Sequence, residues 1–194
     1  MGLFSASQIS VDNKIYFVCT GNICRSAYAE KSLTHKLKSA GNTVNLNIDS
    51  VGTHGLTGHP MDRETATVAT ENDIPIRHSG KRFDELDSEA KPLFLVMTRE
   101  HRDYVLKYDA TAAKRVYLLS EFAMILEILA EKNIKVDSFQ SLISQVSKYR
   151  SAIPSGNYAD IADPYRCELE VHRRVMYSID KYLSTLSEWL EKVS

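Results

Sequence analysis

The stretch Tyr16-Phe17-Val18-Cys19-Thr20-Gly21-Asn22-Ile23-Cys24-Arg25-Ser26-Ala27 joins an apolar run, a short polar loop and a helix start. Lys14 to Val18 is apolar, β-branched and aromatic, as a buried strand requires, and Ala27 to Lys38 is built of helix formers with Ala27, Leu33 and Leu37 on one inward face. The loop between them therefore sits at a helix N-terminus. Unpaired backbone N–H groups and the positive end of the helix dipole favour an anion there, and Gly21 lets the backbone curl close to it. The rest of the chain is placed by its distance from this loop.

Cys19 opens the loop and Arg25 follows after five intervening residues. A ring of amides between them can wrap three phosphate oxygens while the guanidinium forks onto two. The same positive groups stabilise the thiolate form of Cys19 and make it a nucleophile at neutral pH. Ser26 offers a hydroxyl that can hydrogen-bond the Cys19 sulfur and help it leave from a phosphocysteine.

With these residues in view, Cys19-Thr20-Gly21-Asn22-Ile23-Cys24-Arg25-Ser26 resembles the signature of the low-molecular-weight protein tyrosine phosphatases. Asp49-Ser50-Val51-Gly52-Thr53 after a second strand and Asp163-Pro164-Tyr165 near the C-terminus extend the resemblance over most of the chain. It implies Cys19 as nucleophile, Arg25 as phosphate clamp and Asp163 as the general acid that delivers a proton to the leaving phenolate. Without the family, an Asp before Pro reads as an ordinary turn or cap residue. The resemblance further implies that Thr20, Gly21, Asn22, Ile23, Cys24 and Ser26 line the phosphate site and that Tyr165 stacks on the substrate ring. Asn22 holds the loop, Ser50 bonds to it, and His78 braces it from outside. Cys24 can trap an oxidised Cys19 as a disulfide, or simply be a small buried hydrophobe.

Composition bounds the rest. A chain of 194 residues fits one domain, 1–194, able to bury a real core. Its 24 Lys and Arg against 25 Asp and Glu lack the positive excess of a nucleic-acid or membrane-surface protein. No apolar run approaches a membrane span, the first residues lack the pattern of a signal peptide, and Ala6 breaks a myristoylation pattern at Met1-Gly2. Three cysteines suggest a reducing cytoplasm. Cys19 and Cys24 have no second ligand pair nearby, and His54 and His59 have no carboxylate or thiol partner at ligand spacing, so no metal and no cofactor are expected. The expected partner is a phosphotyrosine-containing protein, with no nucleic acid and no membrane, met by a monomer or a weakly self-associating chain.

In order, Met1 to Asn13 reads as a loose leader, Val44 to Asp49 as a second strand, Met61 to Asn72 as a helix, and Leu93 to Met97 and Arg115 to Leu119 as third and fourth strands. Strands alternating with helices imply right-handed crossovers and a parallel sheet: an α/β single domain, four strands, helices on both faces, with ligands at the carboxyl ends of the strands. Arg166 to Val193 reads as a long amphipathic helix through Val175, Met176, Ile179, Leu183, Leu186, Leu190 and Val193.

Two departures from the family pattern stand out. Leu56, flanked by His54 and His59, takes the place where the family often puts Trp or Tyr as one wall of the aromatic slot. A helical insertion is expected around 124–160, with stripes Phe122, Ile125, Leu126, Leu129 and Phe139, Leu142, Ile143, Val146, Tyr149 folding as a hairpin that turns near Asn133. The stripes fit core contacts, or a lid beside the acid loop, and Ser151 to Ile161 reads as a mobile connection. Competing readings are an arsenate reductase, which needs cysteines that Thr98 to Leu119 lacks, and a protein arginine phosphatase, which carries Thr where this chain has Ile23. A non-catalytic phosphate-binding adaptor would need neither the nucleophile nor the acid.

Overall fold

β1 (Lys14–Cys19) is the strand on which the sheet is built: its apolar side chains are buried, and it pairs in parallel with β2 (Asn47–Gly52) on one side and β3 (Leu93–Val96) on the other. β4 (Val116–Leu118) completes a four-stranded parallel sheet in the order β2-β1-β3-β4. The computed structural model describes residues 12–42, 44–86, 90–154 and 156–193. The expected leader lies outside them except for Asp12 and Asn13.

Parallel neighbours need crossovers, and helices supply them. α1 (Arg25–Ser39) links β1 to β2; α2 (Arg63–Glu71) and a 3₁₀ turn at Phe83–Glu85 precede β3; α3 (Arg99–Tyr108) leads to β4. α4 (Leu119–Glu131), α5 (Phe139–Tyr149) and α6 (Leu169–Leu190) follow, with α6 packed on α1, α2 and α4. The chain order reverses at β1, with β2 on one side and β3 on the other. This opens a crevice at the carboxyl end of β1, where the Cys19 loop begins. Among the described residues, no helix is long and apolar enough to cross a membrane.

Most boundaries shift by a residue or two, and the starts of the second strand and the last helix shift by three, each for a local reason. The second strand begins at Asn47, not Val44, because β1 starts at Lys14 and Lys14 is already paired with Asn47; residues 44–46 have no strand beside them. The strand also runs past the expected end at Asp49 to Gly52, paired with Cys19, so Ser50 lies within β2 and not beyond it. The last helix begins at Leu169, not Arg166: Arg166 has φ 64°, a left-handed conformation that a right-handed helix cannot contain, and Cys167 N–H donates to Pro164 O in a turn. Its expected apolar face is buried throughout.

The described residues between Ser151 and Ile161 make several tertiary contacts. Ile161 N–H donates to Met97 O at 2.8 Å, Ser120 Oγ donates to Ala159 O at 2.7 Å, and Ile153, Tyr158 and Ile161 are buried. α4 and α5 bury both expected stripes, apart from the half-buried Tyr149, and Asn133, with φ 52°, turns the chain after α4. Each buried Leu, Ile, Val or Phe in these stripes contributes about 1.5–3 kcal/mol relative to exposure, so α5 is a core element of the domain.

Candidate active site

The loop after β1 closes on itself through Asn22. Its φ of 56° makes it the left-handed residue of the loop, a conformation that Asn tolerates better than most side chains. Gly21 does different work: a Cβ there would meet Ile23 Cγ1 at 3.6 Å and Leu56 Cδ1 at 4.0 Å, so its missing side chain keeps the space beside them open. Gly52, at the end of β2, permits a close approach to the loop, since a Cβ there would stand 2.3 Å from Thr20 O.

Asn22 is buried and fully engaged. Its Nδ2 donates to Ser26 Oγ at 2.9 Å and to Ser50 Oγ at 2.8 Å, its Oδ1 accepts from Lys81 N–H at 2.8 Å, and its carbonyl accepts from His78 Nε2 at 2.6 Å. Ser50 Oγ donates onward to Glu30 Oε2 at 2.6 Å. The donors fall into one order. Glu30 takes the Ser50 hydrogen, Ser50 and Ser26 accept from Asn22, and the Ser26 hydroxyl hydrogen is left for Cys19 Sγ at 3.0 Å or for Val51 O at 3.4 Å. The network thus sets a hydroxyl beside the Cys19 sulfur. His78 stands beside Glu30, at 3.9 Å, and burial pushes its pKa down, against the upward pull of the Asn22 carbonyl and Glu30.

α1 starts at this loop with no side-chain cap on its first amides and no acid in its first turn, which leaves its positive end to an anion. Arg25, the first helical residue, is buried; its Nη1 donates to Ile161 O at 3.0 Å and its Nη2 lies 2.7 Å from Asp163 Oδ2. Arg25 Nε is buried without a hydrogen-bond partner, a donor that suits an anionic ligand.

Cys19, Thr20, Gly21, Ile23, Cys24 and Arg25 line one pocket of about 240 Å³. Leu56 and Tyr165, both part-exposed, form its rim together with Asp163 and with His54, whose ring packs against Tyr104 at 5.8 Å. Asn22, Ser26, Ser50 and His78 stand behind it in the network described above. All the side chains singled out in the sequence thus converge. Burial pushes the Cys24 thiol up to about 12, with Asp62, Cys19 and Asp163 adding to the rise and a Thr65 hydrogen bond opposing it, so Cys24 is a neutral thiol at pH 7.

Two contributors, Glu30 and His101, carry no local signal, and His54 stands out in the sequence only as a neighbour of Leu56. Glu30, inside α1, terminates the donor chain. His54 lines the pocket from the loop after β2. His101, on α3, accepts or donates at both ring nitrogens, Nε2 to Thr20 Oγ1 and Nδ1 to Thr98 Oγ1, each at 2.9 Å. Burial and then the nearby Arg25 push the His101 pKa down to about 4, so the ring that braces the loop is uncharged at neutral pH. Among the described residues, no group of three or more His, Cys, Asp or Glu side chains is placed to hold a metal ion.

Comparison with known proteins places the chain in a family. The family described as low molecular weight phosphotyrosine protein phosphatase matches residues 14–130. A low molecular weight protein-tyrosine-phosphatase, PtpB, of Staphylococcus haemolyticus is 31% identical over 134 residues, covering 69% of this chain and 91% of that protein. A protein-arginine-phosphatase of Bacillus subtilis is 21% identical over 178 residues, covering 92% and 97%. The crystal structure of a low molecular weight protein tyrosine phosphatase from T. tengcongensis superposes with a TM-score of 0.67 at 25% identity, covering 92% of this chain and 99% of the other.

Proposed function

Because the chain belongs to the low molecular weight phosphotyrosine protein phosphatase family, we propose that it is a metal-independent phosphatase that hydrolyses phosphotyrosine in proteins through a phosphocysteine at Cys19. The observation that carries this is the Ser26 hydroxyl at 3.0 Å from Cys19 Sγ, held there by Asn22, at the base of a pocket that Arg25 also lines.

In this reading the Cys19 thiolate attacks phosphorus in line as the P–O bond to the phenol breaks. Arg25 and the loop amides hold the equatorial oxygens, where charge builds in the transition state. Asp163, set at the mouth beside Arg25, gives its proton to the phenolate, a contribution of about 10²–10⁴ in rate. Asp163 then takes a proton from water, which attacks the phosphocysteine and returns Cys19 as a thiolate stabilised by Ser26. Ile23, Leu56 and Tyr165 offer the apolar and aromatic surface that a phenyl ring needs. That surface, with Ile23 in the loop, supports phosphotyrosine over phosphoarginine.

We also read the stretch around 124–160 as a helical addition within the single domain 1–194, supported by the end of the family match at residue 130 inside α4. The cellular setting proposed is a monomer or a weakly self-associating chain acting on phosphoproteins in the cytoplasm.

The test is phosphate release from a phosphotyrosine peptide and a phosphoarginine peptide, in EDTA, by the natural chain and by Cys19→Ser. Faster release from phosphotyrosine that vanishes in Cys19→Ser is expected. Preference for phosphoarginine would move the substrate to the guanidinium class, and release that survives in Cys19→Ser would refute the nucleophile.

A further inference from the structure

Residues 156–168 form neither helix nor strand, so the place of Asp163 depends on tertiary ties. Two of these are backbone contacts: Ile161 is joined to Met97 O on one side and to Arg25 Nη1 on the other. The densest tie comes from Arg99, the first residue of α3. Its backbone N–H donates to Asp160 Oδ1 at 3.1 Å, its Nη1 to the same oxygen at 2.9 Å, and its Nη2 to Tyr158 O at 2.7 Å. Its guanidinium lies 5.2 Å from the centre of the Tyr158 ring.

The fork of one arginine thus spans two residues of the stretch, and the Asp160 carboxylate sits at the positive end of α3. The same helix turn reaches the phosphate loop from its other side, through the contacts of His101 to Thr98 and Thr20. The start of α3 is therefore a joint between the loop that would hold phosphate and the segment that carries the acid. Arg99 and Asp160 do not line the pocket themselves.

We propose that Arg99 and Asp160 are positioning residues that set the reach of Asp163 to the leaving oxygen. This rests on the reading of Asp163 as general acid. Both side chains are part-exposed, 38% and 44%, and an exposed ion pair contributes little to folding, so their loss should appear in the chemistry. Its signature is selective. Asp163 matters most where the departing oxygen is basic and least where it leaves unaided as an anion, whereas damage to Cys19 or Arg25 slows both alike.

The experiment compares kcat/KM for phenyl phosphate and p-nitrophenyl phosphate, since that ratio covers the steps through S–P bond formation and P–O cleavage. Arg99→Met and Asp160→Asn should each lose about tenfold on phenyl phosphate and about twofold or less on p-nitrophenyl phosphate, a part of what a general acid supplies. Inhibition by inorganic phosphate should be unchanged. Arg99→Lys keeps the charge without the fork, folds wherever the charge suffices, and should fall between the natural chain and Arg99→Met with the same selectivity.

Equal losses on both substrates, or none, in all three variants would overturn the proposal. Asp163→Asn, run beside them, separates the two ideas. If it loses equally on both substrates, the acid reading itself is wrong; if it is selective while Arg99→Met, Arg99→Lys and Asp160→Asn are not, only the positioning role falls.

Discussion

Replacing Ser50 by Ala tests the hydrogen-bond chain behind the nucleophile. Ser50 is fully buried, and its Oγ accepts from Asn22 and donates to Glu30. Removing it leaves one Asn22 N–H and one Glu30 lone pair unmatched, and buried unsatisfied groups cost about 1–3 kcal/mol each, so the loss is about 3 kcal/mol. In a domain of this length that lowers the melting midpoint by about 6–12 °C. Activity should fall by about tenfold or more, because the chain that fixes the strained Asn22 also aims the Ser26 hydroxyl at Cys19. The informative assay is a double-mutant cycle with Asn22→Gly, which keeps the left-handed backbone while deleting the side chain. In that background Ser50→Ala should cost little further activity. Independent, additive losses in rate, or a Ser50→Ala protein as stable and active as its parent, would refute the chain.

Other outcomes follow from the same structure. In Cys19→Ser, iodoacetamide at pH 8 should label the exposed Cys167 and spare Cys24, which is buried and a neutral thiol up to about pH 12; comparable labelling of both by peptide mass spectrometry would contradict this. His101 is held near 4 in the folded chain against 6.5 when free, so the unfolded chain takes up the proton first as pH falls. Stability should drop by about 3 kcal/mol at most from pH 6.5 to 4, and His101→Gln should flatten urea-unfolding stability over that window. Arg150 stacks on Tyr117 at 4.3 Å and pairs with the buried Glu121 at 2.7 Å, so Arg150→Ala strands a carboxylate. A loss of about 2–3 kcal/mol in urea unfolding is expected, with kcat/KM for p-nitrophenyl phosphate little changed.

What the sequence made legible was local. Cys19 to Ser26 are contiguous, so a strand, a loop and a helix start are written in neighbouring residues, although Ser50, His78 and Lys81 hold the loop in its shape from elsewhere in the chain. The apolar stripes of α4, α5 and α6 were legible for the same reason, since helical spacing is written in neighbouring residues. Asp163 was reached through family resemblance alone; Asp-Pro by itself describes a turn. The misplaced start of β2 shows the limit, because Val44 and Leu46 alternate correctly but strand 2 can be no longer than the partner that begins at Lys14. Glu30, His101 and the Arg99–Asp160 pair were not legible. Each acts across 20 or more residues of sequence, with separations of 20 for Glu30–Ser50, 81 for Thr20–His101 and 61 for Arg99–Asp160. The tertiary contacts made by Tyr158, Ala159, Asp160 and Ile161 were not legible either: the small polar composition there is that of a loop, and the partners are Met97, Arg99 and Ser120.

The most direct test of the central claim is to mix the protein with a phosphotyrosine peptide, quench in acid within one turnover, and digest for mass spectrometry. The account predicts one phosphoryl group on the peptide that contains Cys19, lost with time in the natural chain and absent in Cys19→Ala. Turnover without any phosphorylated Cys19, or a phosphoryl group carried on another residue, would contradict it.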